Sequence, residues 1–297
     1  LNMISIIKKT NWHDNIIWIL IAATLILFSS DFIGAFIIPE INREQAYLYT
    51  FVSYMEFLTL WVGVILSIKI FKKNNYIKDS LTTKTKRNTI YFLFLGFVVG
   101  FILNAFCALI AFYHGDFELE FVKFDILPVL GLFIAVFVQS SSEEVLCRGF
   151  IYQRLIKAKF NPFFVAIINS LFFAILHLQN NGMNMLSFYD LFITGVFFSF
   201  VVYYFDSLWM AMGIHTTWNF TQSILLGLPN SGTSFPYSIF KISGNTQGSF
   251  AYDVAFGLEG TIFASLLMTF GCVVLYLWKN KEKNIFKITM ESDIRKS

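Results

Sequence analysis

The sequence predicts an all-α, polytopic membrane protein with about eight transmembrane helices. Of its 297 residues, 56% are hydrophobic and only 14% are charged, whereas soluble domains carry about 25% charged residues. Long apolar runs recur along the chain, and lysine and arginine collect in alternate loops between them. With so few charges, the chain cannot cover a water-facing surface.

Eight apolar runs approach the roughly 20 residues that a membrane helix needs. They lie at 15–38, 47–71, 90–113, 126–147, 162–178, 188–205, 207–226 and 254–278. The first run is longer than the core of a signal peptide and no small-residue cleavage site follows it, so we interpret it as a retained helix. The link between the sixth and seventh runs is little more than "FDSLW".

The basic loops predict the orientation. Lysine and arginine are frequent in both terminal tails, in the segment after the fourth run and in the loop "KKNNYIKDSLTTKTKR". In contrast, the loop "HGDFELEF" is acidic and the loop "LQNNGMNML" is neutral. Because cytoplasmic loops carry the excess of positive charge, we expect both termini in the cytoplasm. We also expect a location in the cell membrane, and the compact chain with such loops favours a bacterial origin.

This reading divides the chain into three parts. Residues 1–125 hold the first three helices and a basic cytoplasmic loop, 126–226 form a polar core of four helices, and 227–297 contain a loop, the last helix and a basic tail. The loop 227–253 is the largest segment on the non-cytoplasmic side. Its Gly, Ser and aromatic content suits a lid or a partner-binding surface, although an ordinary connector is the simpler interpretation. No soluble domain is left over.

Three polar clusters interrupt the apolar helices of the middle part. They are "QSSSEEVLCRGF" at 139–150, "FAILH" at 173–177 and "HTTWN" at 215–219. A charge in the bilayer costs about 2.5–3.5 kcal/mol on insertion scales, so an ionisable group there indicates function. The third cluster places His215 and Asn219 four residues apart, on one face of a helix.

The depths of these clusters constrain the fourth helix. If that helix ended at Arg148, Glu143 would lie near the cytoplasmic face, roughly 15 Å from the depth of His177 at 1.5 Å rise per residue. We therefore predict that the helix continues to about Lys157. Glu143 then lies near mid-membrane, at a depth close to that of His215, and Arg148 lies inside the protein and neutralises one glutamate.

The ordered motifs EExxxR, FxxxH and HxxxN resemble those of the CPBP family of intramembrane endopeptidases, which includes the type II CAAX prenyl proteases and the bacterial Abi proteins. The resemblance covers about residues 126–226. The positions that match are Glu143, Glu144 and Arg148 in the first motif, Phe173 and His177 in the second, and His215 and Asn219 in the third.

The resemblance implies hydrolysis of a peptide bond within or beside the membrane. Glu143 would act as general base on a water that His177 helps to hold, while His215 and Asn219 would donate hydrogen bonds to the oxyanion. Glu144, Arg148 and Phe173 would support these residues. We expect a membrane-associated protein or peptide precursor as substrate, the lipid bilayer as surroundings and no nucleic acid as partner.

The need for a metal is left open by the sequence. Two histidines and a glutamate, here Glu143, His177 and His215, are able to hold zinc and leave a position for water. However, no HExxH motif is present and asparagine is a poor zinc ligand, so chemistry without a cofactor is slightly favoured over a divalent metal.

The same residues also suit structural roles or other chemistry. A buried ion pair between helices would explain one of the two glutamates but not both, and histidines often form hydrogen bonds across membrane helices. A serine of 140–142 or Cys147 is a possible nucleophile with a histidine, but no GxSxG supports it and packing is the simpler reading. The remaining acids in or near apolar runs are read as helix-end or packing residues: Asp31, Glu56, Asp190 and Glu259.

Two other classes of function compete with the protease. In a transporter, the polar core would relay protons or bind a solute, but such folds often show two related halves, and the first half of this chain carries no matching motif. The chain could instead be a non-proteolytic bacteriocin self-immunity protein. That role does not explain why all positions of the three motifs are present.

Overall fold

The computed structural model describes residues 15–85 and 87–294, and for 280–294 it describes the backbone only. The predicted basic N-terminal tail and His13 lie outside these residues. The helices are α1 Ile16–Ile37, α2 Ala46–Met55, α3 Leu58–Ile70, α4 Asn75–Leu81, α5 Ile90–His114, α6 Ile126–Glu144, α7 Tyr152–Lys157, α8 Pro162–Leu176, α9 Met185–Phe205, α10 Leu208–Asn219 and α11 Ile262–Ile294. Two short strands are added, β1 Glu118–Phe121 and β2 Phe240–Ser243.

The protein has the predicted all-α, multi-pass architecture. In the described residues, six helices are long and apolar enough to cross a membrane: Ile16–Ile37, Ala46–Ile70, Ile90–His114, Ile126–Lys157, Met185–Phe205 and Ile262–Lys279. They correspond to the predicted helices 1, 2, 3, 4, 6 and 8. The fifth is the shorter apolar α8, and the seventh is α10 with a π-helical extension, Phe220–Leu225.

The predicted length of the fourth helix is confirmed. It runs without interruption from Ile126 to Lys157, 32 residues in all, because the π-helical segment Val145–Ile151 joins α6 to α7. Single π-helical turns inside α-helices are frequent at functional sites. Here the segment begins directly after Glu144 and contains Arg148.

The start of the last helix was predicted wrongly. Instead of beginning at residue 254, α11 begins at Ile262. The intervening residues form turns, since Gly257 and Gly260 have φ of 106° and 78°, and the Asp253 carboxylate accepts hydrogen bonds from two backbone N–H groups that follow it. The loop after α10 therefore extends to residue 261.

Other boundaries have visible causes. The second predicted span breaks into α2 and α3 at Glu56 and Phe57. Asn161 caps α8, which has proline at its first position, and this is a favoured helix start. That helix ends at Leu176, so His177 is its C-cap residue and not part of the helix as predicted.

Close packing of α5 on α10 fixes the position of the third motif. A Cβ atom on Gly96 or Gly100 would lie 2.3 or 2.1 Å from a backbone carbonyl oxygen of α10, and one on Gly213 would lie 2.5 Å from a carbonyl oxygen of α5. Thr217 adds a hydrogen bond from its Oγ1 to a carbonyl of α5, 2.8 Å long. Small residues that let backbones approach are typical of helix pairs in membranes.

The loops predicted to share the non-cytoplasmic face lie together. Strand β1 pairs antiparallel with β2, with Glu118 opposite Ser243. Arg43 donates to the carbonyl of Ser234 at 3.0 Å, and Asn180 donates to that of Ser231 at 2.7 Å. The long loop after α10 thus contacts the three other loops at this end of the bundle.

Candidate active site

The first motif forms a buried ion pair within one helix. Glu144 and Arg148 are four residues apart, so they meet on one face, and Arg148 Nη1 donates to Glu144 Oε1 at 2.9 Å with both side chains inaccessible. Nη2 of Arg148 donates to the carbonyl of Gly195 at 2.9 Å. The guanidinium carbon lies 4.9 and 5.3 Å from the ring centroids of Phe173 and Phe198. The predicted interior position of Arg148 is confirmed.

His215 on α10 lies between the two glutamates. Its Nδ1 is 3.0 Å from Glu144 Oε1, and its Nε2 is 3.8 Å from Glu143 Oε2. The ring stacks on Phe198 with centroids 5.3 Å apart. One oxygen of Glu144 therefore accepts from both Arg148 and His215, and the predicted meeting of the first and third motifs at one depth is confirmed.

Glu143 has a different environment from Glu144. Its side chain is 17% exposed, whereas that of Glu144 is fully buried. Gln139, one turn earlier on α6, donates through Nε2 to Glu143 Oε1 at 2.6 Å. Asn219 Nδ2 donates to Gln139 Oε1 and to Ser140 Oγ, each at 3.1 Å. Asn219 is thus linked to Glu143 through Gln139.

His177 is placed beside this cluster and is not bonded to it. Its Nδ1 donates to the carbonyl of Phe173 at 2.8 Å, which leaves Nε2 as the acceptor in the neutral ring. The Phe173 ring lies between the two histidines, 4.8 Å from the ring of His177 and 6.3 Å from that of His215. The structure brings all three motifs into one neighbourhood: the first and third meet through ion pairs and hydrogen bonds, and the second contacts them through the ring of Phe173.

The serines before the glutamates do not form a serine–histidine pair. Ser140 donates to Gln139 Oε1 at 3.0 Å, and Ser142 donates to the Gln139 carbonyl at 2.7 Å. Ser141 donates to the carbonyl of Phe137. Cys147 is buried in the same helix. Each of these three hydroxyl groups donates to an acceptor within α6, which agrees with a packing role.

The three ligands considered for zinc do not fit a metal in this arrangement. In the part of the chain that the structure describes, no group of three His, Cys, Asp or Glu side chains is placed to hold a metal ion. Glu143, His177 and His215 are therefore not assembled as a three-ligand site.

The motifs did not predict two residues that form hydrogen bonds to the site, Gln139 and Asn169. Gln139 is one, although its polar side chain in an apolar run, four residues before Glu143, was a usable signal. The other is Asn169 on α8. With its amide in the orientation that suits its neighbours, it accepts from Arg148 Nε at 3.2 Å and donates to the Cys147 carbonyl at 2.8 Å.

Glu259 and Asp190 have more specific partners than the packing roles read from the sequence. Glu259 is buried and accepts from Trp218 Nε1 at 2.6 Å, from Gln222 Nε2 at 2.8 Å and from the Ser231 amide at 3.1 Å. Burial raises the pKa of the Glu259 carboxyl, and these hydrogen bonds oppose that rise. Asp190 accepts from the hydroxyl of Ser265 near the start of α11 at 2.9 Å and from the Gly260 amide of the long loop at 3.3 Å. Both carboxylates fix the long loop to the helices of the core.

The fold and the site together define a multi-pass helical membrane protein with a buried glutamate–arginine–histidine centre. Residues 125–221 match the model of a protein family described as "Type II CAAX prenyl endopeptidase Rce1-like". This match supports the resemblance read from the three motifs, and it covers the segment that carries all of them. No curated protein matches the chain.

Proposed function

We propose that this protein is an intramembrane endopeptidase in which Glu143 activates a water to hydrolyse a peptide bond. The observation that carries the proposal is the asymmetry of the two adjacent glutamates. Glu144 is held by Arg148 and His215, whereas Glu143 keeps one oxygen free of direct hydrogen bonds and is partly exposed.

The geometry supports a shared position for the water. Glu143 Oε2 and His215 Nε2 are 3.8 Å apart, too far for a hydrogen bond to each other, but one water is able to bond to both. Such a water lies beside a carboxylate that can accept its proton as it attacks a carbonyl carbon. The bond from Gln139 orients the other oxygen of Glu143.

His215 and Asn219 are proposed to stabilise the oxyanion of the tetrahedral intermediate. Because Nδ1 of His215 faces Glu144, Nε2 on the other side of the ring is the atom proposed to donate to the oxyanion. Both N–H groups of Asn219 are engaged here, so its donation to substrate replaces the contact with Ser140. His177, with Nε2 available as an acceptor, is proposed to help hold the water.

The substrate is proposed to be a membrane-associated protein or peptide precursor. This follows from the depth of the site and from the family, in which the substrate is a protein in the membrane. Following the basic loops, we place the protein in the cell membrane with both termini in the cytoplasm.

The proposal is tested with purified protein in liposomes and a library of quenched fluorescent peptides. We expect cleavage by the wild type and a loss of about 10²–10⁴-fold in Glu143→Gln, the usual contribution of a general base. Glu118→Gln, a change in an exposed strand residue, is the matched control and should cleave normally. A chelator should leave the rate unchanged.

Two results would count against the mechanism. Equal cleavage by wild type and Glu143→Gln, with contaminating protease excluded, removes Glu143 from the chemistry. Loss of cleavage with chelator and recovery with zinc shows that a metal assembles at the site.

A further inference from the structure

A large cavity lies apart from the candidate active site, between α1 and the broken second span formed by α2 and α3. Its volume is about 1540 Å³, and its lining reaches the fourth helix at Phe150 and Arg154. Clefts for drug-sized ligands are usually about 300–1,000 Å³. None of the described motif residues lines it, so it is separate from the proposed chemistry.

The walls of the cavity suit an extended aliphatic chain. The lining follows α1 from Trp18 to Ile38, a length of about 30 Å at 1.5 Å per residue, which matches the hydrocarbon core of a bilayer. The hydroxyl groups of Ser30 and Ser67 in the wall donate to carbonyls of their own helices. The hydroxyl of Thr59 donates to the Glu56 carbonyl in the break between α2 and α3. The wall therefore offers packing contacts and few free donors.

One end of the cavity is strongly cationic. Lys72, Lys73, Arg154 and Lys157 line it there, while the acid in the lining, Glu56, lies toward the other end of α3. In the described part of the chain, none of the three lysines forms an ion pair. A ligand with an apolar tail and one anionic group therefore fits the cavity, with its tail along the apolar wall and its anionic group at the cationic end.

We propose that this cavity binds one anionic phospholipid. One of its two acyl chains lies along α1, and its phosphate is held by Lys72, Lys73 and Lys157. Basic pockets between membrane helices on the cytoplasmic side bind anionic headgroups, with an attraction that grows with each lysine near the surface. The basic-loop orientation places this end of the cavity on that side.

The test measures lipid retention and needs no peptide cleavage, so its outcome is independent of the protease proposal. The protein is reconstituted in vesicles of equal phosphatidylglycerol and phosphatidylcholine, extracted in mild detergent, and its retained lipid is quantified by native mass spectrometry. We expect one phosphatidylglycerol per chain in the wild type. The triple variant Lys72→Gln, Lys73→Gln, Lys157→Gln should lose the preference for this lipid by at least about tenfold.

Charge-matched and size-matched controls accompany these variants. The triple variant Lys78→Gln, Lys84→Gln, Lys159→Gln removes three lysines that do not line the cavity and should retain the lipid. Leu66→Trp fills the cavity with every cation intact and should also lose the lipid. Val98→Trp, which adds a tryptophan at an exposed position on α5, should retain the lipid.

Three outcomes overturn the proposal. The first is equal retention of both lipids by the wild type. The second is equal loss from the two triple variants. The third is displacement of the lipid by an uncharged farnesyl ester, with no dependence on the lysines, which assigns the cavity to a neutral isoprenoid chain.

Discussion

Glu143 and Glu144 are neighbours in sequence but differ in environment because successive residues of a helix point about 100° apart. Glu144 faces Arg148 one turn later, and Glu143 faces Gln139 one turn earlier. Because each glutamate meets a partner four residues away in opposite directions along the helix, the Glu144 carboxylate is held by Arg148. The Glu143 carboxylate keeps one oxygen that is not bonded to Gln139.

Removal of Glu144 should affect stability more than removal of the Glu143 charge. Glu144→Ala leaves Arg148 buried without a carboxylate, and breaking a buried pair in this way costs about 3–5 kcal/mol. We expect a clear fall in the Tm in detergent for Glu144→Ala and almost none for Glu143→Gln. If the two variants lower the Tm equally, the distinction between the glutamates is wrong.

Gln139 should act as a positioning residue for Glu143. In Gln139→Leu the donor to Oε1 is lost, and a hydrogen bond to a charged group is worth about 1.5–3 kcal/mol. We expect kcat to fall by at least about tenfold with KM unchanged, measured on any peptide that the wild type cleaves. Gln45→Leu, an exposed change outside the site, serves as control. An unchanged kcat in Gln139→Leu would contradict this role.

The sequence predicted the site at the level of motifs and not of partners. His215 and Glu143 were expected at one depth and lie 3.8 Å apart, since helix rise alone relates residue number to depth. Which atoms meet depends on helix rotation and packing, which the motif spacing does not specify. For that reason the bonds from Gln139 to Glu143 and from Asn169 to Arg148 were not foreseen.

At the scale of elements, the contact between α5 and α10 determines where His215 and Asn219 lie. Gly100→Ala would place a Cβ atom 2.1 Å from the Ile214 carbonyl oxygen, so the helices must separate. We expect a loss of stability of about 1–3 kcal/mol, as for other overpacked sites, together with lower peptidase activity. Thermal unfolding and initial rates measure both effects.

The control for this change is Val98→Ala, at an exposed position of the same helix, which should leave both quantities near the wild-type values. Gly100→Ala with wild-type stability and activity would show that the close approach of α5 and α10 is not required.

The length of the apolar runs predicted which segments form helices better than it predicted where those helices begin and end. The continuation of the fourth helix to Lys157 followed from depth, but the start of α11 was placed eight residues too early, at 254 instead of 262. Residues 254–261 are apolar enough to resemble a helix, yet Gly257 and Gly260 adopt positive φ. The partners of Glu259 decide this conformation, and they come from a distant part of the chain.

For the whole molecule, the orientation in the membrane is the main prediction. The three native cysteines are buried, so a single exposed cysteine reports the side of its loop. In intact cells, Asn245→Cys should react with a membrane-impermeant maleimide, and Lys159→Cys should react only after permeabilisation. Reaction of Lys159→Cys in intact cells would invert the orientation.

The central claim is that Glu143, and no serine or cysteine of the same helix, carries the hydrolysis. The most direct measurement is kcat on one cleaved peptide for Glu143→Gln, Ser140→Ala and Cys147→Ser, each reconstituted in liposomes. We expect a loss of about 10²–10⁴-fold for Glu143→Gln and activity within about tenfold of wild type for the other two. Abolished cleavage in Ser140→Ala or Cys147→Ser, with Glu143→Gln still active, would contradict it.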